Sequence, residues 1–237
     1  MNSILCTICA RRGSKEVKNK ALKKIFNKPL ISYTIRQAVK SKIFDNIVLS
    51  TDSKKIQKIG KSYGAKSWFL RPRNLSTDQS PKLKAIKHAH FSAEKFFGRK
   101  YDICVDLDIT SPLRSINDIK NAFKKFRKSK CNNLFSVTKA NRNPYFNIIE
   151  VKQKRVQIVK KNNNKVFSRQ KAPQVYELNA SIYIFKRNFL LKKNSIINNS
   201  SCLFHMPRER SIDIDDNLDL YLVKKLLKND KKLFSKV

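Results

Sequence analysis

Short apolar runs and amphipathic segments alternate along the first half of the chain. The run from Ile4 to Ala10 is mostly apolar and ends in a polar loop, which predicts a buried strand. After Pro29, apolar residues from Ile31 to Val39 recur at helical spacing, which predicts an amphipathic helix. The same order continues with strands predicted over 47–51, 65–70 and 101–107 and helices over 54–62, 83–97 and 116–128. This alternation favours an α/β fold, in which a largely parallel sheet carries helices on both faces.

Beyond about Asn133 the pattern changes to one richer in strands. Alternating residues around Tyr145 to Val159 predict β structure, and the polar break over 161–165 predicts a hairpin turn. The other predicted elements are strands over 134–138 and 181–185 and a closing helix over 216–227. We therefore expect one domain over residues 1–237, with a β-rich insertion at 140–180.

The composition is that of a chain that folds around a sizeable core. Of its 237 residues 41% are hydrophobic and only 4 are Gly, which excludes disordered and collagen-like classes. The 53 Lys and Arg against 17 Asp and Glu give a net charge of +36, as in many nucleic-acid-binding proteins. The lysines recur in almost every segment rather than in one patch, which favours a solvated surface over a nucleic-acid site. The net positive charge still favours anionic substrates such as a nucleotide triphosphate.

Cysteine usage and hydropathy indicate a protein of the reducing cytoplasm. The 5 cysteines are an odd number, and most lie in or beside apolar runs, so we expect free thiols rather than disulfides. Cys6 and Cys9 fall on a predicted strand, where residues three apart point to opposite faces, which argues against a shared metal. No secretory signal and no apolar stretch of membrane-spanning length is evident, so we expect no membrane association.

A basic loop, Arg11-Arg12-Gly13-Ser14-Lys15, follows the first predicted strand. Ligands of open parallel sheets bind beyond the carboxyl ends of the strands, which is where this loop begins. Gly13 lets the backbone approach a phosphate, and the Arg, Ser and Lys side chains donate to its oxygens. The loop is therefore a candidate phosphate site; a solvated turn is the alternative.

The densest acidic patch is Ser211-Ile212-Asp213-Ile214-Asp215-Asp216. On a strand, Asp213 and Asp215 point to the same face, which suits the binding of Mg²⁺ by two carboxylates. The alternative is that Asp215 or Asp216 caps the helix that follows.

Polar residues also follow the strand predicted over 101–107. Asp108, Thr110 and Ser111 are expected at the same edge of the sheet as the basic loop and are candidates for lining one cleft with it. A strand end followed by a Ser-Pro helix start is the alternative. The loop after the third predicted strand adds Arg71 and Ser80 as weaker candidates.

Taken in this order, six segments resemble the CMP-sialic acid synthetase family, also called acylneuraminate cytidylyltransferases. They are Ala10-Arg11-Arg12-Gly13-Ser14-Lys15 with Lys20; Ser50-Thr51-Asp52; Arg71-Pro72 with Leu75 and Asp78; Thr110-Ser111-Pro112-Leu113-Arg114; Arg169-Gln170 with Pro173-Gln174 and Asn179; and Ser211-Ile212-Asp213-Ile214-Asp215. The resemblance covers nearly the whole chain, and six segments in register make it specific.

The resemblance implies a Rossmann-like three-layer nucleotidyltransferase fold, with a mostly parallel sheet and a dimerisation arm at 140–180. It implies an enzyme that joins CTP to the anomeric hydroxyl of a nine-carbon α-keto sugar acid, a nonulosonic acid, and releases pyrophosphate. The expected cofactor is Mg²⁺, and the expected partners are CTP, the sugar acid and a second copy in a homodimer. No specific nucleic acid and no membrane partner is expected.

The resemblance also implies roles for individual residues. The CTP phosphates are assigned to Arg11, Ser14, Lys15 and Lys20, of which Arg11 and Lys20 are also expected to act in catalysis by stabilising charge on the leaving pyrophosphate. Asp213 and Asp215 are expected to bind Mg²⁺ and to act in catalysis through it. The sugar is assigned to Asp108, Arg169, Gln170 and Asn179, and the remaining substrate-binding candidates are Arg71, Ser80, Thr110 and Ser111.

Position 108 is Asp where sialic acid enzymes of the family commonly carry Gln, two residues before the Thr-Ser-Pro segment. The substrate is therefore expected to differ from N-acetylneuraminate, and a legionaminate-type acid fits. CMP-Kdo synthesis, a sibling activity on a similar fold, is the nearest enzymatic alternative. A basic RNA-binding protein is the alternative from another class.

Overall fold

The computed structural model of the chain describes residues 2–13, 16–161 and 168–229. The strands are β1 (Ile4–Cys9), β2 (Lys24–Ile25), β3 (Lys28–Pro29), β4 (Asn46–Ser50), β5 (Ile103–Leu107), β6 (Asn133–Lys139), β7 (Ile149–Lys152), β8 (Arg155–Ile158), β9 (Tyr176–Lys186) and β10 (Ser201–His205). The helices are α1 (Leu30–Ser41), α2 (Lys54–Ser62), α3 (Lys82–Phe97), α4 (Ile116–Lys128), α5 (Arg187–Lys192) and α6 (Asn217–Asn229).

Six strands form the central sheet in the order β10-β6-β9-β5-β1-β4. β1 pairs in parallel with both β4 and β5, and β10 pairs in parallel with β6. Only β9 runs against its neighbours, β5 and β6. The predicted α/β fold with a largely parallel sheet is therefore confirmed. Because β1 and β5 run in the same direction, the loops that leave them lie side by side at one edge of the sheet.

Local sequence signals mark where the helices begin and end. α1 starts directly after Pro29, as predicted. The side chain of Ser53 caps α2 by accepting a hydrogen bond from the N–H of Ile56 at 3.4 Å. The chain then turns at Gly64, whose φ of +101° favours glycine. α4 begins with a reciprocal capping box between Ser115 and Asp118.

The sheet is buried on both faces. One face packs under α1, α2 and α4 in a cluster that includes Cys6, and the other packs under α3 and α5 in clusters that include Cys104. The side chain of Cys9 packs against the cluster that contains Cys104, so Cys6 and Cys9 point to opposite faces of the sheet, as predicted. All five cysteines are free thiols.

The strand predicted over 65–70 is wrong. The segment makes a single parallel bridge, between Lys66 and Val48 of β4, and then leaves the sheet. Trp68 stacks on Phe96 with 4.1 Å between ring centroids and contacts Phe97 edge-on. The apolar run therefore serves an aromatic cluster against α3 rather than a further strand, and β4 remains the edge.

A β-hairpin is present in the predicted insertion, and its turn was not predicted. β7 and β8 pair antiparallel, and the turn between them is Gln153-Lys154, where both residues have positive φ. Of the turn predicted over 161–165, only Lys161 lies within the described residues. Gln153 and Lys154 form this tight turn although neither is one of the residues, such as Gly, Asn or Asp, that usually mark a turn with positive φ. The sequence therefore gives no local sign of it.

Four of the elements given above had no counterpart in the sequence prediction. β2 and β3 are two residues long each, β10 is a partly exposed edge strand, and α5 is six residues long, too short to show a helical period. In the part of the chain that the structure describes, no helix is both long and apolar enough to cross a membrane.

Candidate active site

A cavity of about 560 Å³ opens at the carboxyl ends of β1 and β5. Eight of the predicted site residues line it: Arg11, Lys20, Arg71, Ser80, Asp108, Thr110, Asp213 and Asp215. A concavity of about 920 Å³ lies at the opposite end of β5, and none of the predicted site residues lines it. The candidate chemistry is therefore gathered at the edge of the sheet where parallel-sheet proteins bind their ligands.

The basic loop after β1 is held over this cavity from both sides. The backbone N–H of Arg12 donates to Asp52 Oδ1 at 2.7 Å, and Arg11 forms an ion pair with Asp78. Further along, Lys20 Nζ lies 3.1 Å from Asp215 Oδ1. Ser14 and Lys15, predicted to bind phosphate, lie outside the described residues.

Asp213 and Asp215 both line the cavity, although the segment that carries them is an irregular extended stretch rather than the strand assumed in the prediction. Ile214 between them is fully buried, and its N–H donates to the carbonyl of Thr110 at 2.9 Å. The buried Ile214 anchors the segment, so that the carboxylates on either side of it reach the same cavity.

The side chains of Asp216 and Asp219, rather than that of Asp215, cap the start of α6. The N–H of Asp219 donates to Asp216 Oδ1 at 2.9 Å, and Asp219 Oδ2 in turn accepts from the N–H groups of Asp215 and Asp216. The side chain of Asp215 contacts Lys20 instead. The helix-capping alternative therefore applies to Asp216 and leaves Asp213 and Asp215 for the cavity.

Asp213 and Asp215 have the chemistry that Mg²⁺ requires. Asp213 Oδ1 is buried and has no hydrogen-bond partner among the described residues, and burial together with the charge of Asp108 raises the pKa of Asp213 to about 6. No cluster of three or more metal-ligating residues occurs within the described ranges. Mg²⁺ is usually held by one or two carboxylates together with substrate phosphates and water, so two are sufficient.

Lys82 is a cavity residue that the sequence prediction missed. Its ammonium lies 2.5 Å from Asp108 Oδ2 and 3.1 Å from Oδ2 of Asp106, a carboxylate fully buried at the end of β5. A lysine two residues after Ser80 in a lysine-rich chain carries no distinguishing local signal. Only the fold brings it to the two aspartates.

Burial and the mutual charges of Lys82, Asp106 and Asp108 shift the pKa of each of these side chains. Burial raises the pKa of Asp106 above its usual range. Asp108 is partly buried, which alone would raise its pKa, but Lys82 and the hydrogen bonds from Thr110 outweigh that effect and hold its pKa below the usual range. The two carboxylates in turn outweigh the burial of Lys82 and hold its pKa well above the usual range. Asp108 and Lys82 are thus an ionised pair at neutral pH.

A family model described as "Cytidylyltransferase" matches residues 5–228. The chain belongs to the cytidylyltransferase family. It is 44% identical over 228 residues to "Post-translational flagellin modification protein B" of Campylobacter coli, which covers 96% of both chains.

Two further similarities support the family and the fold. The cytidylyltransferase is 43% identical over 227 residues to "CMP-N,N'-diacetyllegionaminic acid synthase" of Campylobacter jejuni, again over 96% of both chains. A solved structure of CMP:2-keto-3-deoxy-manno-octonic acid synthetase complexed with CTP superposes with a TM-score of 0.70 at 15% identity, covering 96% of this chain and 99% of that one. The nucleotidyltransferase fold expected from the resemblance is thereby confirmed.

Ser111 and Asn179 of this cytidylyltransferase lie beneath the cavity rather than on its surface. Both are buried, and Ser111 Oγ donates to the carbonyl of Asn179 at 3.3 Å. Asn179 bridges Ser136 at 2.6 Å and Ser211 at 3.0 Å, beside a bulge in β9 at which Ala180 has a φ of +51°. Their contacts hold the strands and the acidic segment together.

Arg114, the last residue of the Thr-Ser-Pro-Leu-Arg segment, is fully buried. Its guanidinium donates to the carbonyl of Ser181 at 2.6 Å and to Gln37 Oε1 at 3.0 Å. Burial lowers its pKa to about 10, so it stays charged at neutral pH. It ties α1 to β9 behind the cavity of the cytidylyltransferase.

Arg169 and Gln170 are not brought to the central cavity. They line concavities at the base of the insertion, where the Arg169 guanidinium donates to the carbonyl of Asn141 at 2.6 Å.

Arg71 and Ser80 do line the central cavity. Arg71 is buried and donates through Nε to Ser76 Oγ at 3.1 Å. The Ser80 hydroxyl is buried with no hydrogen-bond partner in the described part of the chain.

Proposed function

We propose that this cytidylyltransferase joins CTP to the anomeric hydroxyl of a nonulosonic acid of the legionaminic type. The anomeric oxygen attacks the α-phosphorus of CTP, a new phosphorus–oxygen bond forms, and the bond to the bridging oxygen breaks. Pyrophosphate leaves with that electron pair, and the hydroxyl proton passes to solvent. The observation that carries the proposal is the cavity in which the basic loop after β1 faces Asp213 and Asp215.

The basic loop is proposed to bind the triphosphate. Arg11 and Lys20 line the cavity and would donate to phosphate oxygens, which stabilises the charge that develops on pyrophosphate. Ser14 and Lys15 are proposed to contribute to the same site on the strength of the resemblance, and Arg71 and Ser80 line the cavity on its other side.

The cation proposed for this site is Mg²⁺, held by Asp213 and Asp215. The described charged residues that line the cavity are four cations, Arg11, Lys20, Arg71 and Lys82, and five carboxylates, Glu16, Asp78, Asp108, Asp213 and Asp215. The described lining residues therefore supply no excess of positive charge to a triphosphate, despite the chain's net charge of +36. When bound, Mg²⁺ neutralises phosphate charge and lowers the pKa of a coordinated hydroxyl.

The sugar acid is proposed to occupy the side of the cavity formed by Asp108 and Thr110. Two relatives support its chemical class: one carries legionaminic acid in its name and the other flagellin modification, each over 96% of this chain. The similarity to the manno-octonic acid enzyme is at 15% identity and supports the fold alone, so it does not favour CMP-Kdo synthesis. The match of the cytidylyltransferase model to residues 5–228 favours an enzyme over the RNA-binding alternative.

A homodimer is proposed to form through the insertion at 140–180. The β7–β8 hairpin exposes an apolar surface: Ile149, Val151 and Val156 are 60%, 71% and 67% exposed. An apolar hairpin face of this kind is typical of a surface covered by a partner. In this homodimer Arg169 and Gln170, at the base of the insertion, are proposed to contact the sugar acid bound to the second copy, and Ser111 and Asn179 are proposed to support the site from beneath the cavity. A cytoplasmic location and the absence of a specific nucleic-acid partner remain predictions.

The test is pyrophosphate release from CTP and Mg²⁺ with N-acetylneuraminate, legionaminate, pseudaminate and Kdo in turn. We expect release with a nonulosonic acid and CTP only, with ATP and UTP as nucleotide controls. Release with Kdo alone would establish the rival enzyme. No release and no CTP binding by the folded protein would overturn the proposal.

A further inference from the structure

We propose that Lys82 is a positioning residue that, through its ion pair, holds Asp108 as a carboxylate that faces the cavity and can only accept hydrogen bonds. The sugar acid it selects is then one that presents a donor there, a hydroxyl or an amide N–H. This inference rests on the proposed function, because it concerns how the same site recognises its second substrate.

The ammonium of Lys82 is fixed from several directions. It contacts Asp108 Oδ2 at 2.5 Å and Asp106 Oδ2 at 3.1 Å, and it lies 4.4 Å from the centroid of the Tyr183 ring. Asp106 is itself immobilised, because its Oδ1 accepts from Thr7 Oγ1 at 2.8 Å on the neighbouring strand. Lys82 is thus held against the end of the sheet by a carboxylate that faces away from the cavity.

The packing of α3 also fixes the position of Lys82. Lys82 is the first residue of α3, and Leu83 and Ile86 of the same helix are buried against β5 and β9. The helix therefore has little freedom to rotate. The Lys82 side chain is 32% exposed and lines the cavity beside Asp108, and the buried Asp106 lies behind it.

Asp108 is oriented by donors on both of its oxygens. Lys82 occupies Oδ2, while Oδ1 accepts from the N–H of Thr110 at 3.2 Å and from its hydroxyl at 3.0 Å. An ionised carboxylate has about four lone-pair sites and no donor, so with three of them occupied about one site remains, and it can only accept. A glutamine amide at this position would both donate and accept. The Lys82–Asp108 pair therefore recognises a different set of sugar substituents.

The test compares Lys82→Met with Lys84→Met, an exposed lysine on the same helix. For the acid that the wild-type protein uses, Lys82→Met is expected to raise KM by about tenfold or more, the loss typical of one charge-assisted hydrogen bond, with KM for CTP within about twofold. Lys84→Met is expected to leave both constants unchanged. Lys82→Arg keeps the charge and is expected to recover part of the loss.

Asp108→Asn supplies the second variant and covers the case in which Lys82→Met does not fold. It keeps the side-chain size but introduces a donor, so the acid KM is expected to rise, and the double variant is expected to be no worse than the poorer single one. Calorimetric binding of the acid to the protein saturated with a non-hydrolysable CTP analogue gives the same comparison without turnover.

The outcomes separate the two proposals. An unchanged acid KM in both variants, or an equal rise in the KM for CTP, overturns the positioning role while wild-type turnover upholds the proposed function. A wild-type protein that neither turns over nor binds any acid of the panel overturns both.

Discussion

Lys20 Nζ lies 3.1 Å from Asp215 Oδ1, although 195 positions separate the two residues in the chain. The contact joins the loop after β1, proposed to bind the triphosphate, to the segment before α6, proposed to bind Mg²⁺. The cation and the anion for which these roles are proposed contact each other in the free protein. Binding of CTP with its metal would give each a new partner.

The first prediction concerns Asp215. Its side chain is 75% exposed, so Asp215→Ala is expected to keep the fold while turnover falls by at least about a hundredfold, because a metal ligand supplies several kcal/mol of transition-state stabilisation. Asp216→Ala is the matched control: it removes a helix cap and is expected to lower stability but not turnover. Steady-state pyrophosphate release and thermal unfolding measure the two effects. Near-normal turnover in Asp215→Ala would remove the metal assignment.

The second prediction concerns the hairpin. Val151 and Val156 face each other across β7 and β8 and are both largely exposed. Val151→Asp places a charge in the proposed interface and is expected to convert the dimer to a monomer, measured by size-exclusion chromatography with light scattering. Glu150→Ala, on the same strand, is expected to leave the mass unchanged. A Val151→Asp protein that remains dimeric would show that the interface lies elsewhere.

The third prediction concerns Arg114. Replacing it by Met removes the buried charged donor to the carbonyl groups of Asp108 and Ser181 and to Gln37 Oε1, so the free energy of unfolding is expected to fall by about 3 kcal/mol or more. Chemical denaturation measures the change. Arg127→Met, at an exposed position of α4, is expected to alter it by less than about 0.5 kcal/mol. Equal effects in the two variants would contradict a structural role for Arg114.

The fourth prediction is a pH dependence that arises from His90. This residue is fully buried and lies 3.2 Å from Glu94 Oε1, which also pairs with Arg187. Burial lowers the pKa of His90 in the folded protein, more than Glu94 raises it. As the pH falls below about 6.5, the unfolded chain therefore binds a proton that the folded protein does not, and stability decreases by up to about 1.4 kcal/mol per pH unit.

His90→Gln is expected to reduce this slope. The free energy of unfolding is measured by chemical denaturation at about pH 7.5 and about pH 5.5, on either side of the ordinary histidine pKa. The exposed His205→Gln serves as the control. A wild-type slope in His90→Gln would assign the acid sensitivity to other groups.

Local pattern was sufficient for much of the fold and for part of the site. The helix over 116–128 was predicted with its observed bounds, because a capping box and a repeated apolar face define it locally. Loops that leave parallel strands meet at one edge of the sheet, so Arg11, Asp108 and Thr110 could be expected in one cleft, and the structure places them there. The strand predicted over 65–70 was wrong because an apolar run does not reveal whether its partner is a strand or a helix.

Most of the strand and helix order over residues 1–139, and the residue types at the strand ends, could be determined from the sequence alone, because they depend on spacing over a few residues. Tertiary structure decided what depends on contacts between distant segments. It assigned capping to Asp216 and left Asp215 to Lys20, and it brought Lys82 to Asp106 and Asp108. It also buried Ser111 and Asn179 beneath the cavity, since the orientation of a side chain is set by packing around it.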